Sequence, residues 1–311
     1  MGDSYILKDG KRCEFKEWKN DYTQFLEKLY ELPENPYNDP DAKDTKNVEF
    51  YSGLAKFLTK QEEEMRDRLN EEWTYKAVFG EQKDNYDYGI QVFENGNKLF
   101  VLFSDQFGFS APDFKKNHPY DYYIKLAKEA GEDKYKEAIS NVAEWIFESR
   151  SIGGSFLWPR HGKGSDNYNY KRGGAESYSS YIQDRVDLTL LEIKHIFDEK
   201  KTKTDILYSF WNSCGELKSF FDHFGSFDTY IDFFKMEDFV KDKMPRDIFD
   251  LQKCLDDDKY KKMNEFNKNK LPLDDADSIF RKDIDTVENM LNNVNGLINK
   301  RTGVIAPIIQ G

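Results

Sequence analysis

Apolar residues recur at helical spacing early in the chain. Phe15, Trp18, Tyr22, Phe25, Leu26 and Leu29 share one face of a helix that ends at Pro33. The polar, proline-marked stretch ELPENPYNDPDAKD then reads as a loop. A second helix is expected over 47–73, charged along 61–72. In YDYGIQVFENGNKLFVLFSD, two β-rich runs flank Asn95-Gly96, the pair that suits the two left-handed positions of a type I′ turn. This predicts an antiparallel hairpin over 88–103. Helices over 122–129 and 134–149 part at Gly131, and 151–158 is a short strand or extended segment closed by Pro159.

Ser180 and Gln183 form a capping box for a helix running to about residue 200. Ile182, Val186, Leu190, Ile193 and Phe197 lie on one face, with Leu188 and Leu191 on the other. A helix apolar on two sides belongs at the centre of a core. Further helices are expected over 205–224, 228–241, 247–267 and 276–299, the last followed by the apolar tail VIAPII. No internal repeat is visible and no composition shift marks a linker. The expectation is one α+β domain over 1–311, mainly helical with one antiparallel hairpin, in which 271–311 forms a C-terminal helix and apolar tail.

Composition supports a packed core. Aromatic residues make up 16% of the 311 positions, more than a disordered chain would carry. A mean hydropathy of -0.83 places a very polar surface around that core. The net charge of -12 argues against a protein that holds nucleic acid by general phosphate neutralisation. Cys13, Cys214 and Cys254 have neither metal-ligand nor CxxC spacing. The opening MGDSYILKDGKRCEF has no apolar signal region, Ile6 departs from the myristoylation pattern, and no long apolar run follows. Cytoplasm and no membrane contact are expected.

One segment runs against the acidic background. Between residues 150 and 174, Arg150, Arg160, Lys163, Lys171 and Arg172 stand against a single acid, Asp166. Gly153, Gly154, Gly162, Gly164, Gly173 and Gly174 lie among them, with Phe156, Trp158, Tyr168 and Tyr170. Glycine lets backbone amides approach an anion, basic side chains supply charge, and aromatic faces can stack a base. The alternative is a surface loop whose cations pair with the acidic surface around it. HGKG is not a P-loop, because Leu157 and Gly164 stand where Gly and Ser or Thr are required. GxSxG and GxGxxG are absent as well.

Asp184, Arg185 and Asp187 open the central helix, where a buried charge demands a partner. Either they form an internal network that fixes the helix, or Arg185 joins Arg160 and Arg172 in one cavity. In the ligand reading, Arg150, Gly153, Gly154, Arg160, Lys163, Asn169, Arg172, Gly173, Arg185 and Asp187 bind, and His161 and Asp184 move protons. His118, His195 and His223 are dispersed, with His195 a core or helix-flank histidine. No HxxxH or HExxH pattern occurs, so no metal site is expected and no cofactor is assigned.

These segments resemble a family of uncharacterised bacterial proteins, the DUF6994 type. The resemblance rests on Asp39-Pro40-Asp41, Ser104-Asp105, Ile152-Gly153-Gly154 through Pro159, and Asn169 through Gly173. It continues in DRVDLTL (Asp184 to Leu190) and Tyr230-Ile231-Asp232-Phe233-Phe234, and covers roughly 39–250. It implies a bacterial cytosolic protein and carries no activity. Two functions follow as expectations. The first is an enzyme or sensor for a phosphate-bearing ligand, a nucleotide or short nucleic acid, in the phage-defence or toxin setting associated with such orphan families. The second is a non-enzymatic interaction protein or oligomeric scaffold, with the tail 304–309 covering a partner surface.

Overall fold

A computed structural model describes residues 4–6, 12–14, 48–79, 88–106, 121–149, 151–160, 186–199, 211, 215–255 and 283–310. The helix expected at 15–29 lies outside these residues. Helix α1, Val48–Glu64, buries Phe50, Leu54, Phe57, Leu58 and Gln61, the one-face spacing of an amphipathic helix. It stops well short of residue 73, because WTYKAVF is rich in strand formers. There Trp73 and Val78 are buried and Thr74 and Lys76 exposed.

That segment is strand β3, Trp73–Phe79, which joins a four-stranded antiparallel sheet with Tyr88–Glu94, Asn97–Gln106 and Ser155–Arg160. Short strands Ser4–Ile6 and Arg12–Glu14 precede it as an antiparallel pair, so the chain-order labels are β1 and β2 for that pair and β4, β5 and β6 for the rest. The sheet order is β3-β4-β5-β6. The β4–β5 turn is the one expected, with positive φ at Asn95 (49°) and Gly96 (80°). The single-hairpin expectation is corrected, since β3 and β6 extend the hairpin on both sides. Pro159 faces Leu102 on the edge strand β6, where a missing N–H is tolerated.

Helices α2, Asp121–Ala130, and α3, Glu132–Ser149, meet at Gly131 (φ 129°) as the sequence predicts. Helix α4, Val186–Phe197, is buried almost all round. Then come α5, Gly215–Phe224, and α6, Phe227–Phe233, whose first turn is capped by Ser226 accepting the Thr229 N–H at 3.1 Å. The helix expected over 228–241 is present as α6 but ends at Phe233, and the one expected over 247–267 is corrected over 247–255, its remainder lying outside the described residues. The chain instead forms β7, Val240–Lys241, β8, Met244–Asp247, and β9, Asp250–Cys254. Asp242 and Lys243 are left-handed (φ 51° and 63°), and Pro245 follows two residues later, so a helix cannot continue.

Helix α7, Ile284–Gln310, is 27 residues and roughly 40 Å long. It absorbs the expected apolar tail. Ile305 and Ile309 are buried, and Ile309 packs on Gly53 of α1. One apolar core joins the sheet to all seven helices of the described residues. Its densest part is a T-shaped aromatic cluster in which Phe224 meets Phe233 at 5.1 Å and Phe234 at 5.3 Å.

Gly153 and Gly154 form a 3-10 turn (Ile152–Gly154) pressed beneath α7. A Cβ on Gly153 would stand 2.5 Å from the Ile298 carbonyl oxygen and closer still to Thr302 Oγ1. Gly303, in the same helix, has open space at that position. Gly153→Ala is therefore expected to cost about 2 kcal/mol by overpacking, and Gly303→Ala to gain up to about 1 kcal/mol. Urea unfolding of the two variants checks the opposite signs.

Candidate functional site

The basic segment takes in β6 and continues in the chain toward α4, and its two stems, the described residues at β6 and at the start of α4, are both anchored in the core. On the first stem, Trp158 is fully buried, with its ring centroid 5.7 Å from that of Phe221 and 6.3 Å from that of Phe220. Arg301, on α7, donates from Nη1 to the carbonyls of Gly153 and Ser155 and from Nε to that of Phe234, each at 2.8 Å. Burial lowers its pKa to about 10, so it stays charged at neutral pH and the carbonyls supply the lost solvation. On the second stem, Asp187 accepts the Leu188 N–H at 2.9 Å and the Ile248 N–H at 3.3 Å. This fixes the start of α4 to the small sheet.

Of the residues expected to bind a ligand, Gly153, Gly154 and Asp187 thus belong to this frame. The space at both glycines is filled by protein. The backbone of Arg160 pairs with Val101 at the end of β6. Arg150, His161, Lys163, Asn169, Arg172, Gly173, Asp184 and Arg185 lie outside the described residues. Arg301 was missed, although an arginine on the stripe of Ile298 and Ile305 was a readable signal.

A second constellation arises elsewhere. Glu62, buried near the end of α1, accepts three donors. They are the Trp73 N–H at 2.9 Å, the Tyr75 hydroxyl at 2.7 Å and His223 Nε2 at 3.1 Å. The imidazole stacks on Trp73 with centroids 3.7 Å apart and planes 6° apart. The other ring nitrogen, Nδ1, is buried and without a hydrogen-bond partner. A carboxylate that fixes an imidazole tautomer is the orienting half of a general-base pair. No sequence signal links these groups, since 161 positions separate Glu62 from His223.

The loop beside His223 borders a cleft of about 200 Å³. Asn70 donates its N–H to the His223 carbonyl at 3.0 Å and, from Nδ2, to that of Asp222. Phe197, Glu199 and Trp211 line the opposite wall, and Lys218 lies over the Trp211 ring at 5.1 Å. Roughly 18 Å along α4 separates this cleft from the second stem of the basic segment, whereas Trp158 of the first stem packs on Phe221, which lines it. No group of three His, Cys, Asp or Glu suited to a metal is present among the described residues. Among them, too, no helix is long and apolar enough to cross a membrane.

Comparison with known families matches residues 90–303 to DUF6994, a family of unknown function. The chain belongs to the DUF6994 family. The match begins later than the resemblance suggested, at β4, and runs further, through most of α7. That extension has a physical reason, because Arg301 makes α7 part of the frame that holds Gly153 and β6. No curated protein and no solved structure matches the chain.

The cluster around Glu62 yields a pH prediction. Burial, then the Glu62 charge and its hydrogen bond, holds the Tyr75 phenol well above its ordinary value. A group with a raised folded-state pKa favours folding below its unfolded pKa and loses that contribution as pH rises through the folded value. Stability should therefore fall with rising pH above about 10. In Tyr75→Phe that alkaline slope becomes shallower, while stability at pH 7 drops by about 1 kcal/mol. Denaturant midpoints across the alkaline range measure both effects.

Proposed function

We propose that the protein is an enzyme or sensor that binds a phosphate-bearing ligand, a nucleotide or a nucleic-acid end, at the basic segment between β6 and α4. The observation that carries the reading is the fixing of both stems. A glycine-rich segment bearing Arg160, Lys163, Arg172 and Arg185 departs from one anchored strand and returns to the anchored start of a buried helix. Fixed ends lower the loop-closure entropy of gathering the segment's donors around an anion. Arg160, Arg172 and Arg185 would hold phosphate, Asn169 and Gly173 would offer backbone or amide donors, and His161 or Asp184 would move a proton. The setting in phage defence or a toxin system is part of the same proposal and stands on association alone.

Of the tail expected to cover a partner, Ile305 and Ile309 are buried within this chain, Ala306 and Ile308 are half-buried, and Val304 and Pro307 are exposed.

A thermal-shift screen with nucleotides, dinucleotides and short RNA tests the proposal. A true ligand at about 100 times its Kd adds about 2.7 kcal/mol of stability. The shift should vanish in the Arg160→Ala, Arg172→Ala double variant. No shift with any of these ligands would sink the reading, and a shift that survives the double variant would move the site elsewhere.

A further inference from the structure

Helices α3 and α7 lie side by side and run in the same direction. Near their starts, Lys134 Nζ reaches Glu288 at 2.8 Å and Asp285 at 3.5 Å. Near the end of α3, Glu148 accepts a hydrogen bond from the side chain of Asn299. Just beyond, Ser151 and Thr302 meet at 2.9 Å. The two helices thus keep step along their length. This register brings Glu144, one turn before Glu148, level with Asn295, one turn before Asn299.

The polar groups at that level are incompletely matched. Asn295 is 3% exposed, and neither its Nδ2 nor its Oδ1 has a hydrogen-bond partner. Its position between Glu288 and Asn299 on one stripe of α7 aims it at α3. Glu144 Oε2 is buried and likewise without a partner. Two carboxylates one turn apart repel each other, and burial followed by the Glu144 charge raises the Glu148 pKa. Buried polar atoms left unmatched are rare and call for an ion or water. The donor set consists of carboxylate and amide oxygens carrying up to two negative charges. Hard divalent cations select that chemistry, and facing helices are where such sites are built.

We propose that Glu144, Glu148 and Asn295 bind one divalent cation of the Mg²⁺ or Ca²⁺ class in the seam between α3 and α7, with Asn299 holding Glu148 in position. The cation joins the two helices at the point where their packing is least satisfied. It relieves the repulsion between the carboxylates and gives the Asn295 carbonyl a partner. Histidine and cysteine spacing plays no part, which is why the sequence pattern gives no metal signature.

The test uses the full chain, stripped with EDTA and titrated with Mg²⁺, Ca²⁺ or Mn²⁺ in nucleotide-free buffer. Calorimetry and melting temperature are read in parallel. The expected result is a saturable rise in Tm with at least one cation and a stoichiometry of one per chain. The Glu144→Gln, Glu148→Gln double variant should fold at least as well as the parent without metal, and should lose at least about tenfold in affinity. Asn295→Leu should show the same loss with its fold kept. No response to any cation would overturn the proposal, with water alone filling the seam. A response undiminished in the double variant would also overturn it, placing the binding elsewhere on the acidic surface.

Discussion

The structure turns on one buried cation. Arg301 lies inside the protein and places its guanidinium against three backbone carbonyls, those of Gly153, Ser155 and Phe234. A desolvated charge of this kind is costly unless its hydrogen bonds are replaced, and oriented carbonyl dipoles replace them here. The consequence is geometric. The 3-10 turn before β6, the end of α6 and the last third of α7 must all converge on one planar group. Gly153 has no room for a side chain because α7 approaches closely enough for Arg301 to reach that turn. The aromatic cluster of α5 and α6 then fills the space under the same junction, and Trp158 fixes β6 against it.

Much of this was readable residue by residue. Asn95-Gly96 identified its turn, because only a type I′ hairpin needs two adjacent left-handed residues between β-rich runs. The two-sided apolar pattern of 186–197 identified a central helix. What failed was decided by tertiary contact or by local breakers. The charged run after α1 has helical composition, but Trp73 and Tyr75 are drawn into the sheet, where Glu62 receives both the Trp73 amide and the Tyr75 hydroxyl. The segment 240–254 has no strong alternation, and its strands follow from a left-handed pair at Asp242 and Lys243 followed by Pro245. The tail VIAPII looked separate because Pro307 reads as a helix breaker. Near a helix end that loss is small, and burial of Ile305 and Ile309 outweighs it.

The candidate site was legible in composition and only partly in placement. Glycine and basic residues marked the segment 150–174, yet of the two glycines that the structure describes there, Gly153 allows the close approach of α7 and Gly154 that of the end of α3. Asp187 likewise accepts the backbone amides of Leu188 and Ile248. Such residues look functional in a sequence because packing constraints and ligand constraints both favour glycine and buried acids. Spatial partners separate the two cases: protein atoms fill the space at Gly153 and Gly154, whereas His223 Nδ1 and Asn295 have polar atoms with nothing opposite them.

The extent of the family match sharpens this distinction. Residues 90–303 contain β4 to β6, α2 to α6 and α7 as far as Gly303, and so the whole frame around Arg301, the anchored stems and the seam between α3 and α7. They omit α1 and β3, which supply Glu62, Trp73 and Tyr75. The pairing of Glu62 with His223 therefore joins the matched region to what precedes it, and Trp73 and Glu62 together fix the imidazole plane. The hydrogen bonds of Arg301 and Asp187 that fix the two stems all lie within residues 90–303. The imidazole has a defined orientation only when α1 and β3 are docked. The two constellations thus draw on different parts of the chain, the frame around Arg301 on residues 90–303 alone and the oriented imidazole on the elements before them as well.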